Sequence, residues 1–182
     1  MKSPLLALSL CLAVCVGCAS NPQKYNYVVE PTPLTQGESQ YELQSVNVNL
    51  TLGHGAEDGE TQFASEAQMR DQFEKALREE LNKKSLLASQ GEADAALDIN
   101  IDYLRVYNVG GNALNVPKVS HTVKAFKGNQ EIANFSMGTY MVTHGIASNM
   151  KIAAFQWKAE DELKDIQKIA ALLAKDIEAM GQ

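Results

Sequence analysis

The sequence predicts an α+β protein, a two-layer sandwich in which two helices cover one face of a four-stranded, mostly antiparallel sheet. Three observations predict it. Four segments alternate apolar and polar residues with a period of two, the mark of half-buried strands. Two others repeat apolar residues at steps of three and four, so each helix has one stripe to bury. Their order, β-α-β-β-β-α, lets both helices close over the same sheet face. With 182 residues, 45% of them apolar and 21% charged, the chain carries enough apolar material for one core.

The elements follow in order. Val46, Val48 and Leu50 alternate with Asn47, Asn49 and Thr51, which makes a first strand. The Gly-rich acidic loop 53–60 comes next. Ser65 with Gln68 three residues on forms a capping box, and Met69, Phe73, Leu77 and Leu81 then step by four along a helix ending near Lys83-Lys84. Leu97, Ile99, Ile101 and Tyr103 alternate with Asp98, Asn100 and Asp102 in a second strand. There the apolar phase slips at Leu104 and Val106, as at a bulge or a strand end. Val119, His121, Val123 and Ala125 give a third strand, and Lys127-Gly128-Asn129-Gln130 a tight turn into a fourth through Ala133, Phe135 and Met137. Leu163, Ile166, Ile169, Leu173, Ile177 and Met180 line a closing helix from about Lys158, with Gly181 as its stop. The second sheet face carries Asn47, Asn49, Asp98, Asn100, Asp102, Ser120, Thr122 and Lys124, so it faces water or a polar partner.

The first twenty residues differ in kind. Lys2 precedes an apolar run from Leu5 to Val16, the layout of a secretory leader and too short to span a bilayer. Cys15-Val16-Gly17-Cys18 resembles a bacterial lipobox, with Cys15 where Leu is more common. That resemblance implies cleavage before Cys18, acylation of its thiol and amino group and, because Ala19 rather than Asp follows, export to the outer membrane. The spacing Cys11-x3-Cys15-x2-Cys18 also matches a radical-type iron–sulfur motif, but these cysteines lie in an apolar leader with no barrel strand before them. The implied domains are a leader over 1–17, the lipidated Cys18 with a Pro-containing flexible tether over 18–44, and one periplasmic domain over 45–182. Cys11 and Cys15 leave with the leader, so no intramolecular disulfide forms.

The lipobox, the tether and the β-α-β-β-β-α order together resemble small Gram-negative envelope lipoproteins, and in particular the YajG-type lipoproteins. The stretches that carry the likeness are Leu77-Arg78-Glu79-Glu80-Leu81 before a Gly-containing turn, the Leu97–Tyr103 strand, the Lys127-Gly128-Asn129 turn and Asp176-Ile177-Glu178-Ala179-Met180. The architecture is also similar to LptE, the lipoprotein that plugs the lipopolysaccharide translocon. The resemblance implies a fold and an address, the periplasmic face of the outer membrane, and no activity.

Chemistry is sparse. Lys and Arg number 16 against 22 Asp and Glu, a formal charge of −6, and no basic run is present, which argues against nucleic acid. His54 lies among Glu57, Asp58 and Glu60, but the spacing fits no calcium loop, and His54, His121 and His144 share no metal-ligand spacing. No nucleophile elbow or P-loop occurs, so neither catalytic residues nor a cofactor are expected. The connection 140–157 is long, rich in Met and aromatics, and holds the only Trp; Tyr140, Met141, His144, Met150, Phe155 and Trp157 form the candidate partner surface, the alternative being that Ile152, Phe155 and Trp157 cap the open end of the core. The expected function is a non-enzymatic binding or assembly module for an envelope protein, held to the outer membrane by its lipid. The alternatives are a binder of a small amphiphile, a lipid or glycan fragment, in a cleft between helices and sheet, and a hydrolase.

Overall fold

A computed structural model describes residues 26–29, 33–57, 59, 61–89, 91–108 and 110–182. The leader, Cys18 and the first part of the tether lie outside the described residues. The elements are β1 (Asn26–Val29), β2 (Tyr41–Leu52), α1 (Glu66–Lys83), β3 (Ala95–Arg105), β4 (Lys118–Lys127), β5 (Gln130–Met141), α2 (Ile146–Ala153) and α3 (Ala159–Glu178). One five-stranded sheet runs in the order β1-β5-β4-β3-β2.

The α+β class holds, with corrections to strand number, strand order and helix number. The fifth strand is β1, which pairs antiparallel with β5. It falls inside the stretch expected as a free tether. Four residues are too few to show a period, and their partner lies more than a hundred positions away in sequence. The sheet is mixed, because β2 and β3 are parallel. That follows from α1, which fills the crossover such a pair needs. The third helix is α2, inside the connection after β5. Residues 33–40, also assigned to the tether, pack on the body: Gly37 N donates to Glu178 O at 2.9 Å and Gln182 N to Leu34 O at 3.0 Å. Gly181 permits this contact. A Cβ there would stand 2.7 Å from Gln36 N, and its φ of +122° suits glycine alone.

Within β2 a register shift between Leu43 and Ser45 changes the parity of the strand. Tyr41 and Leu43 therefore share the buried face with Val46 and Val48. On that face Leu97, Ile99, Ile101, Val119, Val123 and Phe135 meet Met69, Phe73, Leu77 and Leu81 of α1 and Ile166, Ile169, Leu173 and Ile177 of α3 in one core. Ser65 caps α1, its Oγ accepting from Gln68 N while Gln68 Oε1 accepts from Ser65 N. The outer face is a polar lattice: Ser45 Oγ donates to Asp98 at 2.8 Å, Asn49 Nδ2 to Asp102 at 2.9 Å, and Thr122 and Ser136 hydroxyls are 2.9 Å apart. The exposed edge of β2 is partly satisfied by α1, since Arg78 donates to Leu43 O and Leu50 N donates to Glu66. No helix among the described residues is long and apolar enough to cross a membrane.

Candidate functional site

The strands place β2's end, β3's end, β4's start and β5's end together. Thr51 pairs with Leu104, Leu104 with Lys118, and Lys118 with Met141. At this end a second small core forms from Phe63, Tyr107, Leu114, Ile152 and Trp157. It fixes α2 and the start of α3 to the sheet. Leu114 N donates to Trp157 O at 2.8 Å, and Asn108 Nδ2 donates to Leu114 O and Ile152 O.

Above that core sits a network of buried charge. Arg105 continues the alternation of Ile101 and Tyr103 and is buried with them. Its guanidinium donates through Nε and Nη2 to both oxygens of Glu162, at 2.7 and 2.9 Å, and to Ala64 O at 2.6 Å. Burial pushes the Glu162 carboxyl up, against the opposing pull of Arg105. One turn on, Asp165 accepts from Trp157 Nε1 at 2.8 Å and lies 2.6 Å from His144 Nε2. Its carboxyl too is raised by burial, with the Trp157 and His144 bonds opposing. Asp161 takes the cations: Lys151 Nζ reaches both its oxygens at 2.8–2.9 Å and Lys164 Nζ one at 2.6 Å. Burial alone would raise this carboxyl, yet the two lysines and Lys158 N hold it at about 2. Both ammonium groups also stand over the Trp157 ring, at 5.7 and 5.3 Å.

This network decides which of the expected surface residues reach the surface. Met141, Met150 and Phe155 do, exposed by 62%, 68% and 54%. Ile146, outside the expected set, joins them at 83%. Its signal was the four-residue step from Ile146 to Met150. Trp157 is fully buried, so it supports the surface from beneath instead of forming it. The side chain of His144 is nearly buried, its Nε2 lying 2.6 Å from Asp165 Oδ1. Tyr140 is half-buried, with its hydroxyl 3.2 Å from His121 Nδ1. The charged partners Arg105, Asp161, Glu162 and Asp165 were also missed. Arg105 and Glu162 carried a signal nonetheless, being charged residues at positions where the strand and helix patterns demand apolar ones.

His144 and Asp165 have the geometry of a base and its orienting carboxylate. Among the described residues no Ser, Thr or Cys side chain hydrogen-bonds to that imidazole, and Nε2 is committed to Asp165. No group of three or more His, Cys, Asp or Glu that could hold a metal occurs among the described residues. A cleft of about 440 Å³ is lined by Gly53, His54, Gly55, Leu104, Val106, Tyr107, Asn108, Gly110 and Lys118. It lies against the loop end of β3, away from the helix–sheet interface where a ligand cleft was expected. That interface is filled by the fully buried side chains of the main core.

No family model matches the chain, and no curated protein does. Among solved structures, one described as "Crystal structure of uncharacterized protein" aligns over 80% of this chain and 95% of its own, at 13% identity and a TM-score of 0.40.

Proposed function

We propose that the chain is a non-enzymatic binding module of the Gram-negative envelope, held through lipidated Cys18 on the periplasmic face of the outer membrane. It engages an envelope partner through the end of the molecule that carries α2. One observation carries this reading: of the eight exposed large apolar side chains among the described residues, four, Met141, Ile146, Met150 and Phe155, fall within the one stretch 141–155 of an acidic chain. The buried bonds of Trp157, Asp165 and Asp161 hold the base of that group in place, as a contact surface requires. The two-layer sandwich, with α1 and α3 over one sheet face, and the likeness to YajG-type lipoproteins belong to the same reading.

The test is photocrosslinking in intact cells from position 150 and from position 128 in the opposite turn. Adducts at 150 well above those at 128 are expected, whether the captured species is lipid or protein. Equal yields at the two positions would overturn the assignment of the surface. The amphiphile reading keeps one supporting observation, the apolar floor of Leu104, Val106 and Tyr107 beside Lys118. Displacement of a fluorescent fatty acid, abolished by Val106→Trp, would favour it.

A further inference from the structure

We propose that the partner of the α2 surface is the lipid bilayer itself: Met141, Ile146, Met150 and Phe155 rest in the headgroup region of the membrane that Cys18 anchors. The inference rests on the anchored reading above and names what that surface meets.

The direction of β1 is the first argument. Asn26 pairs with Ser136 and Val29 with Asn134, so β1 runs away from the Met141 end of β5. The N-terminal end of β1, to which the link from Cys18 is attached, therefore faces the end that carries α2. Reach is the second. Residues 19–25 join Cys18 to β1, a contour of at most roughly 29 Å. Passing from the level of Ser136 to that of Met141 takes about 17 Å of it at ~3.3 Å per residue. That leaves little length to hold the α2 end clear of the headgroups. The expected long tether would have done so, but β1 removes most of it.

The surface itself suits an interface. Ile146 and Met150 are one turn apart on a two-turn helix, and Phe155 projects just beyond its end. Lys151 on the same helix and Lys164 on α3 are part-exposed and share Asp161, and of the acids that open α3, Asp161, Glu162 and Asp165 are buried and paired while Glu160 is exposed. Apolar side chains rimmed by lysine above neutralised acid match an anionic lipid surface in an otherwise acidic chain. The opposite end, at the Lys127–Gln130 turn, carries none of the exposed large apolar side chains. The segment 19–25 is itself polar apart from Ala19, Pro22 and Tyr25 and offers little matching apolar cover.

Phe155 gives an independent pointer. It occupies the left-handed region at φ +57°, at the helix-ending position where glycine is usual. Gln156 N to Lys151 O and Phe155 N to Ile152 O complete that motif. A bulky residue there strains the backbone, and its exposed ring recovers little from the fold.

The test uses the full chain, acylated in cells and reconstituted in vesicles of phosphatidylethanolamine with some phosphatidylglycerol. Separate proteins carry a bimane label at Met150→Cys, Phe155→Cys or Gly128→Cys. Labels at 150 and 155 should be quenched several-fold more than the 128 label by nitroxide-bearing lipid, and less by aqueous iodide. Mass of the N-terminal fragment and flotation with the vesicles report the anchor separately. Floating, acylated protein with equal lipid quenching at 150 and 128 overturns the docking and spares the anchor. Protein that is not acylated and does not float overturns both. Shielding from iodide without lipid quenching overturns it in favour of contact with a second copy.

Discussion

Phe155 holds a left-handed backbone that a β-carbon resists by about 1–2 kcal/mol, and its side chain is largely in water. Phe155→Gly should therefore leave the fold as stable as before, or stabilise it by up to about 1 kcal/mol, while weakening any contact made by the ring. Urea denaturation of the variant checks the first half and lipid quenching of a label at 150 the second; a clear drop in the urea midpoint would mean that the ring packs. Asp161 and its neighbours respond to acid in opposite senses. The Asp161 carboxyl lies at about 2 against an ordinary 3.8, because Lys151, Lys164 and the Lys158 amide outweigh its burial. Its contribution is thus complete above pH ~4 and lost as pH falls from there towards 2. Glu162 and Asp165 are raised by burial, so the fold gains from their protonation as pH falls from neutral towards the ordinary carboxylate range. Stability should hold to about pH 4 and fall steeply below it. In Asp161→Asn the steep part should flatten, as read from urea midpoints on either side of pH 4. A parallel loss in both proteins would assign the acid sensitivity to other groups.

At the scale of elements, the strength of a helix follows what it buries. α1 buries Met69, Phe73, Ala76, Leu77 and Leu81 and opens on a complete capping box. Ser65→Ala should cost about 1 kcal/mol, a fall in Tm of roughly 2–4 °C for a domain of this size. α2 buries Ile152 alone. Its amides, including the Ala154 N–H bonded to Met150 O, should exchange with solvent orders of magnitude faster than those around Ile169 in α3. Equal protection would mean that α2 opens only with the whole domain. The same contrast explains what could be read from the sequence. Met69-Phe73-Leu77-Leu81 and Leu97-Ile99-Ile101 have periods long enough to announce α1 and β3, and Ser65 and Gln68 announced the cap. α2 turns Ile146 and Met150 outward, so no buried stripe marked it. The polar lattice of Asn49, Asp98 and Asp102 was legible as a solvated face, since alternation assigns both faces at once. For Trp157 the sequence leaves surface and core cap both open, because it gives the side chain's size and not the Asp165 carboxylate that receives its N–H.

For the whole molecule, the acidic balance was legible, because composition needs no contacts. The β1–β5 pairing was not, since it joins Asn26 to Ser136 through the fold alone. In the proposed anchored state that pairing shortens the expected tether and gives the body an orientation. With the α2 end at the headgroups, the antiparallel β4 and β5 carry the Lys127–Gln130 turn away from the membrane. β5 has 12 residues, and at ~3.3 Å each the strand is about 40 Å long. Even with the sheet inclined by some tens of degrees, the turn should stand roughly 30 Å from the headgroups. Energy transfer from a donor at Gly128→Cys to acceptor headgroups on the outside of the vesicles should report that height, with the donor at Met150→Cys far closer. The cleft beside Lys118, level with Met141, would then lie near the headgroups, and the polar sheet face would rise from there towards the Lys127–Gln130 turn. Equal transfer from positions 128 and 150 would mean that the body lies flat or tumbles on its link. The direction of β1 would then set no orientation, and the exposed α2 group would be left to a protein partner.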